Sequence, residues 1–73
     1  MKIHIKFFNF AGDCTLSKQL EDTTGWKTKA AQLINEIPEA DQKDLYGAIL
    51  EVDGKRSGEI KTERARRMEG GAA

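Results

Sequence analysis

Residues 2–10, KIHIKFFNF, decide the fold. From Lys2 to Phe7 they alternate, with Ile3, Ile5 and Phe7 on one side and Lys2, His4 and Lys6 on the other. A period of two with one apolar side is a half-buried β-strand. The phase slips at Phe8, because Phe8 and Phe10 fall on the side that His4 uses. Either a bulge lies near Phe7–Phe8, or the strand is covered on both faces at that end. Ala11-Gly12-Asp13 then signals a turn.

Outward from this strand, residues 14–22, CTLSKQLED, carry two readings. Leu16 and Leu20 lie four apart, which suits a short helix, and Lys18, Gln19 and Leu20 favour one intrinsically. A strand returning from the turn is the rival, and the balance leans to helix. Thr24 is the expected N-cap of the next element. Trp26, Ala30, Leu33, Ile34 and Ile37 form one apolar stripe of a 3.6-period helix, which Pro38 stops. Residues 39–46 read as one or two further helical turns, and Ala48 to Val52 as a strand. Asp53-Gly54 is a hairpin signal, since both positions must tolerate positive φ. A two-residue loop sets Val52 opposite Lys55 and Glu51 opposite Arg56, an opposite-charge pair.

The predicted architecture is α+β: a small three-stranded, mostly antiparallel sheet packed by two or three short helices on one face. Residues 1–61 form a single domain, and residues 62–73, TERARRMEGGAA, a flexible basic tail. A frayed helical turn or two is allowed within residues 62–68, and the last four residues, from Gly70 on, are expected to be disordered. The predicted core is Ile3, Ile5, Phe7, Leu16, Leu20, Trp26, Ala30, Leu33, Ile37, Leu45, Leu50 and Val52.

Composition limits the chemistry. The chain has 73 residues, 38% of them hydrophobic, which is enough for one compact core. One cysteine, Cys14, excludes an intramolecular disulfide, and one histidine, His4, leaves a Cys/His zinc site short of ligands. No metal or cofactor is expected. No apolar run approaches the roughly 20 residues of a spanning helix, and no signal peptide is visible, so the expected compartment is the cytoplasm. His4 reads as an exposed strand residue and Cys14 as structural. Asp41 and Asp44 read as a solvated helix face, and Asp53-Gly54-Lys55 as a turn without the phosphate-loop pattern. No catalytic residue is expected, and the chain reads as a non-enzyme.

The charge is segregated although its total is zero. Residues 55–67 hold six basic residues against two acidic, whereas residues 13–54 hold four basic against nine acidic. A short, cysteine-poor chain with the acidic stretch Glu36, Glu39, Asp41, Asp44 and the basic run Arg64-Ala65-Arg66-Arg67 resembles, in layout, small phage-encoded antitermination and inhibitor proteins that bind the host RNA polymerase. That resemblance implies inhibition or antitermination of transcription by protein–protein contact in the host cytosol. The expected contact is the basic set Lys55, Arg56, Lys61, Arg64, Arg66 and Arg67. The alternative contact is the acidic set Glu36, Glu39, Asp41 and Asp44. A monomer is expected in isolation.

Two other classes compete. A nucleic-acid module would use the basic segment for phosphates, with Phe7, Phe8 and Phe10 stacking on bases. Zero net charge, the acidic centre and the need for those phenylalanines in the core weigh against it. An antitoxin-like subunit or homodimer would cover apolar residues left on both strand faces.

Overall fold

A computed structural model of the chain describes residues 2–70, apart from the side chains of residues 69 and 70. The glycine pair and the two alanines at the end therefore lie largely outside the described residues. Four strands form one antiparallel sheet: β1 (Ile3–Asn9), β2 (Cys14–Leu20), β3 (Leu45–Val52) and β4 (Lys55–Lys61). Their order across the sheet is β2-β1-β3-β4. Three short helices accompany them: α1 (Trp26–Leu33), α2 (Glu39–Gln42) and α3 (Glu63–Gly70), with a 3-10 turn at Ile34–Glu36 after α1.

β1 sits inside the sheet, and its alternation sets the two faces. Three inner rows cross all four strands in register: Leu20–Ile3–Val52–Lys55, Lys18–Ile5–Leu50–Gly58 and Leu16–Phe7–Ala48–Ile60. Ile3, Ile5, Phe7, Ala48 and Leu50 from these rows are buried, together with Ala30 and Ile37 from the helical connection and Leu45. Leu16, Leu20, Trp26, Leu33, Ile34, Val52 and Ile60 pack around them half-buried. Every predicted core residue is in this cluster, and Ile34, Ala48 and Ile60 complete it.

The α+β class and the antiparallel sheet are as expected, but the sheet has four strands rather than three. Residues 14–20, most of the 14–22 stretch whose balance leans to helix, are the additional strand. Their leucines are spaced by four, and four is a whole number of periods for a strand as well as close to one for a helix. The tight turn decides between the two readings. Asn9 N–H donates to the Asp13 carbonyl, Gly12 N–H donates to the Asn9 carbonyl, and Gly12 takes φ 91°. The chain leaves this turn already paired with β1. The slip near Phe7–Phe8 is a bulge whose extra residue is Thr15, since Phe7 pairs with Leu16 and Phe8 with Cys14. The Thr15 hydroxyl donates to the Phe7 carbonyl at 3.4 Å.

The β3–β4 hairpin forms as read. Asp53 and Gly54 have φ of 53° and 82°, and Glu51 pairs with Arg56 and Val52 with Lys55. Asp53 also anchors the start of β1, because its carboxylate accepts from Lys2 N–H at 2.8 Å. At α1 the cap is not Thr24. Gly25 occupies that position in the left-handed region, and Thr24 N–H donates instead to the Asp22 carboxylate.

Residues 63–70, where a frayed turn or two is expected, form α3. Thr62 caps α3: its hydroxyl accepts from Ala65 N–H at 3.2 Å and lies 2.9 Å from the Leu45 carbonyl, to which it donates. Thr62 N–H donates to the Tyr46 carbonyl at 2.9 Å, and Ala65 is fully buried. One small buried side chain and a cap suffice for a helix that presents little to bury.

Both sheet edges carry features that oppose further pairing. On β2, Lys18 points inward and reaches Glu36 at 3.2 Å. β4 carries lysines at both ends and a bulge at Ser57, since Leu50 pairs with Gly58 and Glu51 with Arg56. An inward charge and a bulge are common edge protections.

Gly58 gives a test of the packing. A Cβ there would stand 2.7 Å from the Trp26 indole, so the ring occupies the space a side chain would need. By β-propensity alone, Gly58→Ala should stabilise the strand. By packing, it should destabilise the protein by about 1–3 kcal/mol. We expect the second result in urea unfolding, together with a red-shifted tryptophan emission.

Candidate functional site

The face of the sheet opposite α1 carries the other three rows: Gln19–His4–Glu51–Arg56, Ser17–Lys6–Ile49–Glu59 and Cys14–Phe8–Gly47–Lys61. Phe8 therefore leaves the core, while Phe7 stays in it. Near the Phe8 end lies a shallow cleft of ≈ 250 Å³, lined by Phe8, Phe10, Tyr46, Ile49, Arg56 and Glu59 among others. β3 bulges here, since Asn9 pairs with Leu45 and Phe8 with Gly47, leaving Tyr46 as the extra residue. Gly47 permits the close approach of β4, because a Cβ at this position would collide with the Ile60 carbonyl oxygen.

The bulge sets Tyr46 edge-on to Phe10, with ring centroids 5.4 Å apart. Such pairs add about 0.5–1.5 kcal/mol beyond their burial. The Arg64 guanidinium lies 4.9 Å from the centre of the Phe10 ring, and Lys61 Nζ lies 5.9 Å from that of Tyr46. Arg64 also donates to the Lys43 carbonyl at 2.5 Å and stands 3.7 Å from the Asp44 carboxylate. One arginine thus ties α3 to the turn before β3 and to the end of β1.

Two cations of this face, Lys6 and Arg56, have carboxylates beside them. Lys6 meets Glu51 at 2.8 Å, and Arg56 meets Glu59 at 3.5 Å. The Lys6–Glu51 contact crosses the centre of the face diagonally. The hydrogen bond that Lys6 donates to the Glu51 carboxylate, reinforced by that carboxylate's charge, holds the Lys6 ammonium above the usual lysine range.

The six predicted basic residues do not form one patch. Arg56 lines the aromatic cleft, while Lys61 and Arg64 stand against the Tyr46 and Phe10 rings. Lys55 lies beyond them, in the row at the hairpin end. Arg66 and Arg67 lie on α3, where Arg67 pairs with Glu63 one turn earlier at 2.6 Å. Of the acidic set, Glu36 is engaged by Lys18. Glu39 and Asp41 lie in the first turn of α2, and Asp44 meets Arg64. The acidic and basic sets therefore touch through Asp44–Arg64, where sequence reading holds them apart.

Sequence reading offers Phe8 and Phe10 only as base-stacking residues of the nucleic-acid alternative, and it passes over Tyr46 and Ile49. The signal was present in the phase slip, which sets Phe8 and Phe10 opposite Phe7. Tyr46 gave none, because its position depends on a bulge. His4 and the exposed Cys14 lie in different rows of this face. Among the described residues no group of three or more His, Cys, Asp or Glu is arranged to hold a metal ion. No helix among them is long and apolar enough to cross a membrane.

No family model, curated protein or solved structure matches the chain.

Two expectations follow. Replacing Thr62 with Ala removes the cap and should destabilise α3 by about 0.5–2 kcal/mol. The expected readout is faster amide exchange in α3, with β1 and β3 unchanged and Thr62→Ser close to the parent. The second concerns pH. A lysine raised above its unfolded value adds stability that is fully present at neutral pH and is lost as pH rises through the raised value. Glu51→Gln should therefore return the Lys6 titration, followed by side-chain NMR, to the ordinary lysine range and remove that alkaline component.

Proposed function

We propose that this chain is a non-enzymatic, protein-binding regulator that docks through its uncovered sheet face onto a larger cytosolic machine. The partner implied by the layout resemblance is bacterial RNA polymerase, and the action is inhibition or antitermination of transcription. The carrying observation is the composition of that face. Phe8, Phe10, Tyr46 and Ile49 form an apolar and aromatic cleft, and Lys6, Arg56 and Arg64 near it are matched by Glu51, Glu59 and Asp44. Protein interfaces are enriched in aromatic residues and arginine at their centres. A phosphate-binding face would need a surplus of cations, and this one has little.

The nucleic-acid reading gains one point, because Phe8 and Phe10 are not needed in the core. It loses another, because cations already stand over the rings of Phe10 and Tyr46. An obligate dimer through a sheet edge is opposed by Lys18 on β2 and by the bulge on β4.

The test is binding of purified bacterial RNA polymerase core enzyme to the immobilised chain, with transcription across an intrinsic terminator followed in parallel. Phe8→Ser and Arg56→Glu should each weaken binding by about 10-fold or more, as interface anchors do. They should also reduce the effect on termination while leaving circular dichroism unchanged. Lys29→Glu, on α1, should behave like the parent. Polymerase binding that none of these substitutions alters would place the contact elsewhere. An absence of polymerase binding would refute this choice of partner.

A further inference from the structure

Asp53 is the one Asp or Asn of the chain that a glycine follows. The pair Asp53–Gly54 makes the whole loop between β3 and β4, with φ of 53° and 82°. Glycine is permissive at such angles, and Asp is among the few other residues that adopt them. Two hydrogen bonds to a single residue hold Asp53 in place. Its N–H donates to the Lys2 carbonyl at 2.7 Å, and its carboxylate accepts from Lys2 N–H at 2.8 Å. Both loop residues are exposed, and a Cβ on Gly54 would meet no atom within 4 Å.

That combination bears on the chemistry of the peptide bond itself. An Asp side chain carries a carboxyl carbon within reach of the next residue's amide nitrogen, and joining the two closes a cyclic imide. A side chain on the next residue crowds this approach, and glycine has none. The bond from Gly54 N to Asp53 Cγ forms, and the carboxyl OH leaves with the amide hydrogen as water. Water then adds to the Asp53 α-carbonyl and breaks its bond to Gly54 N. Nothing is oxidised or reduced, and the mass is restored. The product is an isoaspartyl residue: the chain runs through its side-chain carbonyl, and its α-carboxylate is free. Ring closure has to turn the carboxyl group onto Gly54 N, whereas the hydrogen bond from Lys2 N–H holds it toward the start of β1.

We propose that Asp53–Gly54 is a site of spontaneous isomerisation to isoaspartate, gated by the Lys2 amide. Reaction proceeds from states in which the hairpin end opens locally and the Lys2 contact is broken. The product lengthens the loop backbone by one atom and moves the carboxylate away from Lys2. The positive φ angles are those of a type I′ loop, whose length fixes the register of its strands. Isomerisation therefore releases the Val52–Lys55 and Glu51–Arg56 pairs. Glu51 and Arg56 lie on the open face of the sheet, so a covalent change in the loop alters that face.

The test compares the full chain, folded and in urea, with a capped peptide of residues 50–57. All are incubated in the same mildly acidic buffer at physiological temperature, and isoaspartate is located by electron-transfer fragmentation after digestion. It should accumulate at Asp53 and not at Asp22, which is exposed but followed by Thr23. The folded chain should react more slowly than the peptide, and the chain in urea should match the peptide. Lys2→Pro removes the amide donor and should raise the folded chain's rate by about 2- to 10-fold, the equivalent of one hydrogen bond. Lys2→Ala keeps the donor and should react like the parent. The isolated product should lose amide-exchange protection at Val52 and Lys55 and keep it in β2. Absence of isoaspartate at Asp53 from every folded chain overturns the proposal. So does a folded parent that reacts as fast as the peptide, or a folded Lys2→Pro that reacts no faster than Lys2→Ala. If Lys2→Pro does not fold, a rate in urea no higher than that of the folded parent overturns the gate.

Discussion

The hydrophobic effect has to act through one strand in a domain this small. β1 has a hydrogen-bonded neighbour on each side, so its register is fixed twice, by β2 and by β3. Ile3, Ile5 and Phe7 each anchor an inner row that crosses the whole sheet. A slip of one residue would move all three to the solvent face at once. Burying such a side chain is worth about 1.5–3 kcal/mol, and domains are stable by only about 5–15 kcal/mol. The alternation in KIHIKF therefore fixes the position of every other strand, and the helical connection only has to cover what that alternation leaves on the inner side.

The outer side follows from the same constraint. Once Phe7 is committed inward, Phe8 has to point outward, and bulges at Thr15 and Tyr46 absorb the mismatch on either side of β1. These bulges give the sheet its aromatic end. Thr62 and Arg64 then hold α3 against that end, through the carbonyls of Leu45, Tyr46 and Lys43. The fold thus builds the cleft from residues that the core could not use.

What could be read in advance divides along the range of the interactions. Periodicity within one element marked β1, α1 and the β3–β4 hairpin, including the Glu51–Arg56 register, because those patterns repeat locally. It also marked all twelve residues of the predicted core. Residues 14–22 lean to helix on sequence because a spacing of four fits both periods, and only pairing with β1 selects the strand at 14–20. The length of α3 was not legible, because its contacts with the sheet are a cap and a cation over a ring, neither of which shows as hydrophobicity. The basic set was legible as composition. Its division into a cleft group, a hairpin residue and an α3 pair was not, because that depends on which β4 side chains face outward and on where α3 lies.

The charge pattern is the point at which sequence and structure lead to different pictures of the same function. Along the chain, acidic middle and basic end look like two separate surfaces, each available to a partner of opposite sign. In the fold, Asp44 meets Arg64, Glu36 meets Lys18 and Glu63 meets Arg67. Exposed pairs of this kind contribute about 0–1 kcal/mol, so they hold little of the fold together. Their larger effect is on recognition. A surface whose cations already have weak carboxylate partners has a small long-range field and gains little from a uniformly charged polymer. In the proposed docking mode, selectivity depends on apolar contact at the aromatic cleft, which a folded protein partner supplies and a phosphate backbone does not.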